Sequence, residues 1–147
     1  MNQPHYDVRT TSDRLQFEFV SKGPKGLIVK RIEYTYIEGL DFWNLGFGDF
    51  DPDTGQINDQ TISDNGDGRK VLATVAFSIR EFMTVHSNAT VFFSGSTDQR
   101  TQIYKWVIYK YWSDISADFY VDGITETSDV IPFTIQQDYL GFLIRKK

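Results

Sequence analysis

The residues best placed to do chemistry lie where a strand meets a helix in the second half of the chain. Ala89 to Ser94 reads as a continuous apolar strand. Gly95-Ser96-Thr97 follows, and Asp98-Gln99-Arg100-Thr101 opens a helical stretch through Tyr104. At such a junction backbone N–H groups and the positive end of the helix dipole converge, so an anion or an acidic partner can be held there, with Arg100 in the first turn. The same residue types also serve an ordinary helix start: Ser96 or Thr97 as N-cap, Asp98 complementing the dipole, Arg100 on the surface.

A second junction is Ser63-Asp64-Asn65-Gly66-Asp67-Gly68-Arg69-Lys70. A Gly-x-Gly at a helix start lets a pyrophosphate approach the backbone, and Arg69 and Lys70 would support it. Asp64 and Asp67 would repel the same anion, and a plain loop with Asp67 or Asn65 as cap accounts for the residues equally well. Asp49, Asp51, Asp53, Asp59, Asp64 and Asp67 fall in a stretch free of Lys and Arg. As a calcium loop this stretch fails in detail, because Gly55 is one place late, Pro52 intrudes and Gln60 stands where a bidentate Glu is needed. A hairpin edge guarded by charge fits better, and no metal site is expected. Trp106, Tyr109, Tyr111 and Trp112 exceed what one buried helical stripe requires. They either form a partner-binding patch or cover a sheet end, and the sequence favours the core role.

Composition narrows the classes. The chain has 147 residues and no cysteine, which removes disulfides and thiolate catalysis, and with only His5 and His86 the composition argues against a His-based metal site or triad. The formal charge is −5, against a nucleic-acid binder. A nucleic-acid role would require a contiguous basic face, for example from Lys105, Lys110, Arg145, Lys146 and Lys147. No basic n-region with an apolar core opens the sequence and no apolar run is long enough to span a bilayer, so the expectation is a soluble cytoplasmic protein with no membrane association.

The elements that must position these residues follow from periodicity. Residues 1–14 are polar and are expected to form a flexible N-terminal segment. Leu15, Phe17 and Phe19 alternate as a strand, Lys22 to Gly26 is a turn, and Leu27 to Tyr36, Asp41 to Phe50 and Gln56 to Ile62 are further strands. Val71, Leu72, Val75, Ala76, Ile79, Phe82 and Met83 recur at helical spacing, predicting a helix over Gly68 to Val85. The second helix, from Asp98 to about Tyr111, is expected to bury Ile103, Tyr104, Val107 and Ile108. A strand at Asp118 to Val121, a turn at Asp122-Gly123 and a strand at Tyr139 to Ile144 close the chain. The result is an α+β fold: one domain over 1–147, with a mixed, mostly antiparallel sheet and two main helices.

Four segments together carry a resemblance: 17–26 (FEFVSKGPKG), 44–55 (NLGFGDFDPDTG), 71–75 (VLATV) and 95–101 (GSTDQRT). The chain resembles a bacterial family of about this length, catalogued as a domain of unknown function, which implies no activity. More distantly it is similar to the GCN5-related N-acetyltransferase fold, in which antiparallel strands lead into a Gly-rich loop, a helix, a strand, a helix bearing a Tyr and a closing hairpin. That resemblance implies acetyl-CoA held by Gly66, Gly68, Arg69 and Lys70, with Tyr104 protonating the departing thiolate. Ser63 stands where that family places an Arg or Gln.

The sequence thus points to a non-enzymatic binding or interaction domain with a protein partner, Gly95, Ser96, Thr97 and Arg100 being candidate contacts. An acyl-CoA-dependent N-acyltransferase or a degenerate relative is the alternative. A toxin–antitoxin-type regulator is a third, disfavoured by the acidic charge.

Overall fold

The computed structural model describes residues 4–58 and 65–147. The fold is α+β, with a mostly antiparallel, open mixed sheet and three helices. Its contacts divide the chain into two compact units, Met1–Thr35 with Leu45–Ser87 and Tyr36–Asn44 with Asn88–Lys147.

In the first unit the strands β1 (Arg9–Thr10), β2 (Gln16–Gly23), β3 (Gly26–Ile37) and β4 (Phe42–Asp51) lie in that order, and β5 (Gln56–Asn58) pairs with β4. β3 runs on beyond Thr35 and β4 begins before Leu45, so each strand is shared with the second unit. Alternation sets the buried face: Phe17, Phe19 and Ser21 on β2, and Lys30, Ile32 and Tyr34 on β3, all point inward. Helix α1 (Gly68–Val85) has the predicted bounds. It packs Phe82 face to face on Tyr34, with ring centroids 4.2 Å apart, and Ser78 Oγ lies 2.8 Å from Tyr34 Oη.

In the second unit the strand order is β4, β6 (Thr90–Phe93), β9 (Gly141–Lys146), β7 (Phe119–Ile124), β8 (Val130–Pro132). β6 runs parallel to β4 in the register Trp43↔Val91 and Asn44↔Phe92, and the other pairs are antiparallel. Helix α2 (Asp98–Lys110) follows β6, and a short α3 (Trp112–Asp118) leads into β7.

Several details depart from expectation. β1, β8 and α3 depart from the predicted elements; the first two are short strands of 2 and 3 residues, paired antiparallel with the neighbouring β2 and β7. Asp122-Gly123 is not a turn but the middle of β7. Gly123 is there because a Cβ would lie 2.2 Å from the Tyr139 ring. The predicted strand of Gln56 to Ile62 is seen as far as Asn58, and its remainder lies outside the described residues. The β6 strand buries only Val91 fully, its neighbours being half-buried.

Candidate functional site

The two junctions read from sequence lie in different units. Gly66, Gly68, Arg69 and Lys70 belong to the first, and Gly95, Ser96, Thr97, Arg100 and Tyr104 to the second.

At the first junction Asp67 takes the N-cap position of α1, but its carboxylate makes no cap. It instead accepts from Ser21 Oγ at 2.5 Å and from Tyr6 Oη at 2.6 Å. Burial opposes its ionisation, but the Ser21 and Tyr6 hydroxyls outweigh that and hold the carboxyl below its ordinary range. Tyr6 donates its backbone N–H to Thr74 Oγ1 at 2.9 Å and stacks on Phe19, and the Lys70 ammonium sits 4.3 Å from its ring. Asn65 does not cap either. Its amide donates to Gly26 O at 2.9 Å and accepts from Lys25 N–H at 2.8 Å, pinning the β2–β3 turn. The loop therefore ties strands to a helix start. Gly66 takes a left-handed φ of +75° and Gly68 opens the helix.

Sequence reasoning missed Lys30 in the same unit. Its side chain is 1% exposed and its ammonium lies 2.6 Å from Asp49 Oδ1. The signal was available in its parity with Ile32 and Tyr34 on β3. Asp49 is accordingly the counter-ion of a buried lysine rather than part of a solvated edge. Asp59 and Asp64 lie outside the described residues, and no group of three or more His, Asp or Glu able to hold a metal occurs among the described ones.

At the second junction Thr97 is the N-cap, its side chain accepting from Arg100 N–H at 3.2 Å. Thr101 Oγ1 accepts from Gly95 N–H at 3.1 Å and donates to Thr97 O at 3.1 Å, and the Arg100 guanidinium donates to Ser96 Oγ. A Cβ on Gly95 would lie 2.5 Å from Thr101 N, so glycine is needed for this close approach. Two donors an anion would use, the N–H groups of Gly95 and Arg100, are bonded to neighbouring hydroxyls. Tyr104 meets Phe93 edge-on at 6.0 Å; burial raises its hydroxyl pKa and the Arg100 charge opposes the rise.

Beyond its first turn, α2 presents the least expected surface. Thr101, Lys105 and Ile108 face inward at i, i+4 and i+7. The stem of Lys105 is buried while its ammonium meets the exposed Asp138 at Oδ1, 2.9 Å away, where Gln102 also donates. This register turns Ile103 outward, to 51% exposure, correcting the expectation that it is core. Trp106 and Tyr109 are 57% and 52% exposed and meet edge-to-face, centroids 6.0 Å apart. They too leave the core role expected of them, whereas Trp112 stacks on Phe133 at 5.3 Å. The basic residues do not join this face as a group: Lys105 is inside, and Arg145 and Lys147 flank the Tyr120 ring.

Comparison with known proteins places the chain in a family. It belongs to the family of unknown function DUF6934, whose family model matches residues 2–147. No curated protein and no solved structure matches the chain. Among the described residues no helix is long and apolar enough to cross a membrane.

Proposed function

We propose that this protein is a non-enzymatic binding domain that engages a protein partner through the outer face of α2. The observation that carries the reading is the exposure of Ile103, Trp106 and Tyr109 on one helix face. Trp and Tyr combine large apolar area with few rotatable bonds and dominate the energetics of protein interfaces. The reading also fits the residues singled out for chemistry, since Thr97, Thr101 and Asp67 all have structural partners. A chain without cysteine suits a reducing compartment, and the cytoplasm is where we place it.

The test is differential capture. Tagged wild-type protein should retain a protein partner that Trp106→Glu loses and that Leu140→Glu, at an exposed site off this helix, keeps. Equal retention by all three would end the reading.

An acyl-CoA-dependent transferase, or a degenerate relative, is the second reading. The order of elements favours it: antiparallel strands, the Gly66–Gly68 loop, α1, a β6 parallel to β4, α2 with Tyr104, then the paired β7 and β9. Gly66, Gly68, Arg69 and Lys70 would then hold acetyl-CoA and Tyr104 would serve as general acid. Acetyl-CoA at a hundredfold excess over its dissociation constant would raise stability by about 2.7 kcal/mol, a midpoint shift of several degrees. The non-enzymatic reading expects no shift.

A further inference from the structure

We infer that Asn65 and Gly66 form a covalent fuse: a site of spontaneous deamidation that the folded β2–β3 turn holds closed and that, once converted, keeps the turn from closing again. Asn65 is the only asparagine of the chain that is followed by glycine. Glycine has no Cβ to obstruct its nitrogen and the widest range of backbone angles, so in Asn-Gly that nitrogen reaches the side-chain carbonyl carbon most readily. The chemistry is a hydrolysis in two steps. The Gly66 nitrogen loses its proton and bonds to Asn65 Cγ, and ammonia leaves, closing a five-membered succinimide. Water then opens the ring at either carbonyl, leaving aspartate or isoaspartate at position 65.

In the fold the Asn65 amide is fully engaged and 1% exposed. Nδ2 donates to Gly26 O at 2.9 Å and to Ser21 Oγ at 3.2 Å, and Oδ1 accepts from Lys25 N–H at 2.8 Å. The backbone is as close: a Cβ on Gly23 would lie 1.8 Å from Asn65 O, and one on Gly66 would lie 3.4 Å from Pro24 Cδ. Ring closure makes Cγ tetrahedral and expels Nδ2 as ammonia, so both Nδ2 bonds must break and water must reach the buried amide to carry protons. The closed turn blocks that step. The reaction therefore runs from molecules in which the turn has opened locally.

The product does not fit the site it came from. An oxygen in place of Nδ2 would face Gly26 O and Ser21 Oγ, and the Ser21 hydrogen is already given to Asp67 at 2.5 Å. Both neighbours are then acceptors, and a carboxylate has nothing to donate. The new charge also lies across Ser21 Oγ from the Asp67 carboxylate, in a site with almost no solvent. Isoaspartate adds a methylene to the main chain as well. An opening that ends in hydrolysis is thus recorded in the covalent structure, and the tie between the β2–β3 turn and the start of α1 is lost.

Ageing the full chain at mildly alkaline pH, in buffer and in concentrated urea, tests this, with conversion at each asparagine located by tandem mass spectrometry. In urea position 65 should convert faster than Asn44, Asn58 or Asn88. In buffer its rate should fall by at least about 100-fold, a factor set by how rarely the turn opens. Asn65→Asp supplies the product directly. It should lower the melting midpoint by about 5 °C or more, whereas Asn88→Asp, at an exposed site, should leave the midpoint in place. Equal rates in buffer and in urea would overturn the inference, because the fold would then not hold the site closed. An Asn65→Asp variant that melts with the wild type would overturn it too, because the product would then fit. A variant too unstable to fold agrees with the expected loss, and the wild-type rates then decide.

Discussion

The ammonium of Lys30 lies 2.6 Å from Asp49 Oδ1, with the lysine side chain 1% exposed and the aspartate 17% exposed. A cation this deep depends on its counter-ion, and removing one partner of a buried pair costs about 3–5 kcal/mol. Asp49→Ala is therefore expected to lower the urea midpoint sharply. Lys30→Met combined with Asp49→Leu should recover most of the loss, because both charges then leave together. A double variant no better than Asp49→Ala would contradict this account of the pair.

Asp67 predicts an acid limb. Its folded pKa lies below its unfolded value, so its contribution is complete above about pH 4 and is lost as pH falls through the folded value. Urea midpoints should thus fall on acidification below about pH 4. Ser21→Ala should flatten that limb by removing the strongest of the bonds that favour the carboxylate. Tyr6→Phe should cost about 1–2 kcal/mol near neutrality, since Tyr6 Oη joins Asp67 to the Lys22 N–H.

Two glycines should respond in opposite directions. At Gly123 a Cβ meets the Tyr139 ring at 2.2 Å, and Tyr139 is held by bonds of 2.9 and 3.1 Å to the Thr134 backbone. Gly123→Ala should cost about 1–3 kcal/mol and lower the melting midpoint by several degrees. At Gly68 nothing lies within 4 Å of an added Cβ, and the residue is already helical. Gly68→Ala should stabilise by about 0.5 kcal/mol. Thermal melts of the two variants check both signs.

Where local chemistry decided the structure, the sequence was legible. Val71, Leu72, Val75, Ile79, Phe82 and Met83 mark an amphipathic helix whose bounds match α1, and Thr97 reads as a cap because its hydroxyl needs only Arg100 N–H, three residues on. The side-chain partners that were missed are long-range. Asp67 looks like a cap until Tyr6 and Ser21, 61 and 46 residues away in sequence, claim its carboxylate. Lys30 and Lys105 read as surface residues because their counter-ions, Asp49 and Asp138, are 19 and 33 residues distant. Thr101, Lys105 and Ile108 are the residues α2 buries, and that register, rather than any motif, brings Ile103, Trp106 and Tyr109 to the outside.

The central claim is that this outer face is occupied in the cell. The most direct measurement replaces Trp106 with a photo-crosslinking phenylalanine analogue and irradiates intact cells, with Leu140 replaced in the same way as a control. The account predicts a discrete protein adduct from position 106 and none from position 140. No adduct from position 106, or the same adducts from both positions, would contradict it.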